Sequence, residues 1–123
     1  MRRMKYEAIE PQSKDAVESA ILRNDPNKLL YAVLSAALYS DDPDWAEGVC
    51  LRLAEHEHFN VRGNAVLGFA HIARIHGRLD ESKVRPLIEA ALEDESEYVR
   101  GQADAAADDV EFFLKWKVQR PGR

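Results

Sequence analysis

Five side chains in this sequence are of types that bind metals or attack electrophiles: Cys50, His56, His58, His71 and His76. A zinc site on a helix needs ligands at i and i+4, or paired cysteines, because the donors must converge on one tetrahedral centre. His56-Glu57-His58 lacks that spacing, His71 and His76 stand five apart, and Cys50 has no companion. No metal and no cofactor is expected, and no internal disulfide can form. Cys50 falls on an apolar stripe, where burial keeps a thiol protonated and inert. Carboxylate pairs such as Asp104 and Asp108 would need a cleft to raise one pKa before doing acid–base chemistry, and no apolar cleft is evident. The chain reads as a non-enzyme, with no catalytic residue to name.

What remains is recognition chemistry. Val61-Arg62-Gly63 and Val99-Arg100-Gly101 repeat one tripeptide at a spacing of 38 residues, so Arg62 and Arg100 occupy equivalent positions. A guanidinium there can fork onto a carboxylate of the adjacent turn or hairpin, such as Asp94, and tie repeats together, or it can contact a partner. Gly63, Gly68 and Gly101 fall inside helical stretches, where glycine costs about 1 kcal/mol relative to alanine. Close helix approach would offset that cost.

These residues must be positioned by helices. Ala16, Val17, Ala20 and Ile21 share one face of a first helix over 12–23, between Pro11 and Asn24. Asp25-Pro26 and Asp42-Pro43 are two copies of one start signal, a capping carboxylate followed by proline at the first helical position. They open a second helix to about residue 39 and a third to about 54. Asn60 is expected to cap a fourth, whose end turns over at Gly77, and Asp80 or Ser82 begins a fifth with Pro86 in or near its first turn. Ser96 caps a sixth, with Val99, Ala103, Ala106, Ala107, Val110, Phe113 and Leu114 inward. Residues 1–11 form an N-terminal extension, 12–116 one helical domain, and 117–123 a flexible tail. No strand alternation competes, so the fold class is all-α, with helices paired into about three hairpins.

The 38-residue period and the run Asp94-Glu95-Ser96-Glu97-Tyr98-Val99-Arg100 resemble the HEAT-repeat family, in which an acidic residue precedes Val-Arg at the start of each second helix. Phe59-Asn60-Val61-Arg62 follows the pattern with His56 in place of the acid, and Lys28-Leu29 replaces Val-Arg in the first hairpin. The resemblance covers residues 12–116 and implies a short α-solenoid whose second helices line one face. On that face it gathers Tyr31, Tyr39, Asn64, His71, Arg74, Gln102, Asp104, Asp108 and Glu111, with Tyr98 a partly exposed contact. Such a mixed polar, charged and aromatic surface suits protein binding.

Composition bounds the partner. The chain has 123 residues, 46% of them apolar, with 22 acidic against 17 basic side chains and a net charge of −5. That balance disfavours a nucleic-acid grip and favours a basic protein. No apolar run reaches the roughly 20 residues of a membrane span, and no secretory signal follows the basic start, so a cytoplasmic location is expected. Size and charge look like those of bacterial immunity proteins, some of which have helical-repeat folds. The expected function is therefore a protein-binding inhibitor that neutralises a cognate toxin, such as a cationic nuclease. A HEAT adaptor, or a regulatory or lyase subunit, is the alternative. Oligomeric state has no sign in the sequence.

Overall fold

The computed structural model describes residues 9–122, so the basic start of the chain and Arg123 lie outside the described residues. Among the described residues there are six α-helices and no strand: α1 (Lys14–Arg23), α2 (Pro26–Tyr39), α3 (Pro43–Leu53), α4 (Phe59–His76), α5 (Glu81–Ala91) and α6 (Glu97–Leu114). The fold is all-α, and none of these helices is long and apolar enough to cross a membrane.

Local chemistry sets the boundaries. Ser13, Asp25, Asp42, Asp80 and Ser96 each accept a backbone N–H of the first turn, and Pro26 and Pro43 follow their caps directly. The fourth start differs from expectation. His58, rather than Asn60, caps α4, its Nδ1 accepting the Asn60 N–H at 3.2 Å, so Asn60 lies within the helix. An unprotonated imidazole nitrogen does the work of a capping oxygen. Gly77 ends α4 with φ at +71°, a conformation that glycine adopts without strain. Pro86 lies deeper than expected, as the sixth residue of α5. It is exposed, and the carbonyl it leaves unbonded belongs to exposed Ser82, where water can replace the lost bond.

Packing follows the hairpin scheme. α1 packs on α2, α3 on α4 and α5 on α6, while α2, α4 and α6 pack side by side in that order. The core between the two layers is built from small and branched side chains, with Phe69, Leu29, Ile72 and Ile88 the largest that are fully buried. Close approach of α4 to its neighbours depends on Gly68: a Cβ there would stand 2.5 Å from Cys50 Sγ and 3.3 Å from Ala37 Cβ. The first helices are laced on the outside by Lys14–Asp42 and Glu18–Arg52, and Arg78–Asp44 ties the α4–α5 turn back to α3. The acids around Asp42 therefore cap and brace. Trp45 is partly buried, its indole N–H donating to Glu18 at 3.0 Å.

The C-terminal residues depart from the flexible tail that the sequence predicts for 117–123. Lys115 turns the chain back with φ at 62°, Val118 is 6% exposed, and the Val118 and Gln119 N–H groups donate to Glu111 and Glu89. Residues 117–122 thus lie along α5 and α6. Arg120, whose side chain is 11% exposed, supplies the strongest tie. Carboxylates absent from the local sequence hold this segment, so nothing near it in the chain announced the docking.

Candidate protein-binding face

Tyr98 is the centre of the best-defined surface feature. Its ring lies over Gly63, where an added Cβ would come within 2.8 Å of the ring, so the glycine of the first Val-Arg-Gly is the seat for an aromatic side chain of the next hairpin. Its hydroxyl accepts hydrogen bonds from Asn64 Nδ2 at 2.8 Å and Gln102 Nε2 at 3.0 Å. Phe59 meets Tyr98 edge to face at 5.8 Å between centroids, and His58 stacks on Phe59 at 5.2 Å. Phe59 and Tyr98 remain 46% and 39% exposed. An aromatic pair held from beneath and still open to solvent is an anchor that loses little freedom on binding.

Helical periodicity places the other candidates. At 3.6 residues per turn, Tyr98, Gln102, Asp109 and Phe112 follow one strip of α6, while Asp104, Asp108 and Glu111 follow another roughly 120° round the helix. Thirty-eight residues earlier, Asn60, His71 and Arg74 occupy the matching strip of α4, with Leu67 between them. Tyr31, 41% exposed, stands on α2, which also carries the partly buried Leu34 and Leu38. One face therefore gathers His71, Arg74, Tyr98 and Gln102 of the residues named from sequence, whereas Tyr31 borders a depression that α2 shares with α1 and residues 10–12. Asn64 is buried beneath Tyr98, and its influence on a partner would pass through that ring. Tyr39 turns aside, its hydroxyl 3.5 Å from the Ile9 carbonyl, which brings the N-terminal segment against α2.

His71 is neutral in this setting. Burial first, and the charge of Arg74 second, bring its pKa down to about 4, and its Nδ1 accepts from the Arg74 guanidinium at 2.9 Å. Asp104, Asp108 and Glu111 converge on Arg120 at 2.8, 2.9 and 2.7 Å. The basic group that was expected from a partner is thus supplied, for these three acids, by the chain itself. Backbone donation from Val118, then Arg120, holds the Glu111 carboxyl below its ordinary range. Three carboxylates against one guanidinium still leave this edge negative.

The two equivalent arginines divide the roles. Arg62 Nε and Nη2 grip both oxygens of Asp94 at 2.8 Å, while Nη1 donates to the His56 and Glu57 carbonyls at 2.9 and 3.1 Å. The side chains are 13% and 15% exposed, and hydrogen bonding between them raises the Arg62 pKa and lowers that of Asp94. Arg62 is a tie between hairpins. Arg100 repeats only the carbonyl half, its Nη1 donating to Asp94 and Glu95 at 2.7 and 3.2 Å.

Phe59, Phe112 and Phe113 were not read from the sequence as surface contacts, and Phe113 was expected to face inward. It is 40% exposed and Phe112 68%, the two rings meeting edge to face at 4.8 Å. The adjacent pair itself was the missed signal, since successive helical residues point about 100° apart and cannot both fill one core. Cys50 is fully buried, its thiol pushed up to about 12 by burial first and by Glu47 second, which leaves no thiolate near neutral pH. Among the described residues no three His, Cys, Asp or Glu side chains are grouped to hold a metal. The depressions that exist are shallow and mixed in polarity, such as the one between Asp44, Leu51 and Lys83.

Neither a protein-family model nor a curated protein matches the chain. Among solved structures, the chain is similar to one from the "Crystal structure of CDI complex from Cupriavidus taiwanensis LMG 19424", with a TM-score of 0.74 and 23% sequence identity. The likeness covers 85% of this chain and 93% of the other, so the two share an entire fold.

Proposed function

We propose that the chain is an immunity protein: a short HEAT-like stack that neutralises a cognate bacterial toxin by occupying its surface, without catalysis. The observation that carries this reading is the fold likeness, which runs over nearly the whole of a chain from a CDI complex. Contact-dependent inhibition pairs a toxin with a protein that disarms it, and a fold found in such a complex suits the second role. The aromatic face supplies the means. Phe59, Tyr98 and Phe112 offer apolar contact to a partner, with His71, Arg74 and Gln102 providing hydrogen bonds. That combination gives slow dissociation, because buried aromatic anchors govern off-rates.

The overall charge of −5 supports a basic target such as a nuclease domain, attracted at long range and then held by the nearly neutral face. A toxin that acts inside cells would be met in the cytoplasm. The experiment is capture with this protein as bait in a lysate containing its neighbouring gene products, followed by co-expression with each stable partner. Recovery of a toxic domain and rescue of growth support the proposal. Recovery of a non-toxic complex alone would replace it with an adaptor role.

A further inference from the structure

The second Val-Arg-Gly carries the receptor half of a contact that the first one completes. At Arg62 and Gly63 the next hairpin inserts two groups: the Asp94 carboxylate, gripped by Nε and Nη2, and the Tyr98 ring, seated on the bare glycine. Arg100 is held by the same two backbone bonds as Arg62, from its Nη1 to the carbonyls six and five residues earlier. Its geometry is therefore preset. Among the described residues the hydrogen bonds of its guanidinium are made by Nη1, with none from Nε or Nη2, and nothing lies within 4 Å of a Cβ placed on Gly101. The two positions border a shallow, open depression of about 430 Å³ that is also lined by Leu92, Glu97, Asp104, Arg120 and Pro121.

We propose that this outer surface of the last hairpin is a second docking site, taking from another protein a helix start that presents a carboxylate and, four residues on, an aromatic ring. The occupant is specified by the internal precedent: Asp94 and Tyr98 are the groups that meet the equivalent arginine and glycine one repeat earlier. A second copy of this chain adding head to tail does not supply them. The corresponding stretch of the first hairpin, Arg23 to Lys28, has no aromatic ring, and its one carboxylate, Asp25, caps α2. The site is separate from the aromatic face, so it stands or falls independently of toxin binding there. Glu97 and Asp104 border it, but Asp104 is paired with Arg120, and Arg62 takes its carboxylate with Glu95 similarly near.

The test uses the intact protein, isotope-labelled, titrated with a helix-stabilised synthetic peptide of sequence Glu93 to Asp104, which contains both groups. The Arg100 Nε–H and Gly101 amide signals should shift most. Arg100→Gln should weaken binding at least tenfold with unchanged helicity, and Gly101→Leu should do the same by filling the seat. A peptide carrying Asp94→Lys should bind Arg100→Glu better than it binds the native protein. The proposal is overturned if millimolar peptide shifts nothing at these residues, if shifts centre elsewhere, or if a peptide with both Asp94→Asn and Tyr98→Ala binds equally well.

Discussion

Arg62 and Arg100 stand in the same tripeptide yet should differ sharply in what their loss costs. Replacing Arg62 by alanine removes a two-pronged bond to Asp94 and two bonds to carbonyls, and leaves the Asp94 carboxylate 15% exposed with only the Ser96 N–H, at 2.9 Å, to hold it. Breaking a largely buried ion pair by deleting one partner costs about 3 kcal/mol, at the low end of the range for complete burial because some water reaches this pair. At roughly 4 °C per kcal/mol for a domain of this size, the melting temperature should fall by about 12 °C. Arg100→Ala removes exposed carbonyl contacts only and should cost less than about 1 kcal/mol. The assay is urea unfolding followed by far-ultraviolet circular dichroism, with an Asp94→Asn partner to close a double-mutant cycle whose coupling should be about 2 kcal/mol. There is also a pH consequence. Because the folded Asp94 pKa lies below its ordinary value, the stabilisation is present above that ordinary value and is lost as pH falls through the depressed one. Arg62→Ala should remove most of this acid-side dependence. Equal costs for the two arginines, or an Arg62→Ala penalty under about 1 kcal/mol, would refute the reasoning.

Three further outcomes are expected. Gly68→Ala should destabilise by about 1–2 kcal/mol, the clash with Cys50 outweighing the gain in helix propensity, while Gly101→Ala should stabilise by about 0.5–1 kcal/mol because space is open there; thermal melts of both variants decide this. His71, with its folded pKa lowered to about 4, binds its proton more readily when unfolded, so stability should fall as pH drops from about 6.5 toward 4. Between pH 7 and 5 that loss is on the order of 1–2 kcal/mol, absent in His71→Gln, and the His71 imidazole signals in the folded protein should not titrate until near pH 4. Arg120→Ala should release residues 117–122 from α6, seen as faster amide exchange at Val118, with a stability cost of about 1 kcal/mol because Asp104 and Asp108 are more than half exposed and Glu111 a third exposed.

Much of the fold could be read in sequence because its signals are local. Asp25-Pro26, Asp42-Pro43, Asp80 and Ser96 are starts that need no tertiary context, and the apolar periodicities between them gave six helices and their pairing. The exceptions required knowledge of distant partners. His58 caps α4 with an imidazole, a role that sequence rules assign first to oxygen side chains. The C-terminal segment is held by Glu89, Asp104, Asp108 and Glu111, which composition shows only as acids on a helix. For the same reason the expected binding set divided: Asp104, Asp108 and Glu111 share a helix with Tyr98 and Gln102 but not a side of it. Phe112 could have been found, since an adjacent aromatic pair late in a helix leaves one ring outside. Asn64 could not, because its burial depends on Tyr98 crossing from the next hairpin.

The central claim, inhibition through the aromatic face, is tested most directly by growth of cells expressing the captured toxin together with the native protein or with Phe112→Asp. Phe112 is 68% exposed, so this substitution leaves the fold intact while placing a charge where apolar contact is expected. Full rescue by the native chain and loss of rescue by the folded variant is the predicted result. Equal rescue by both, or none by the native chain against every partner it retains, would contradict it.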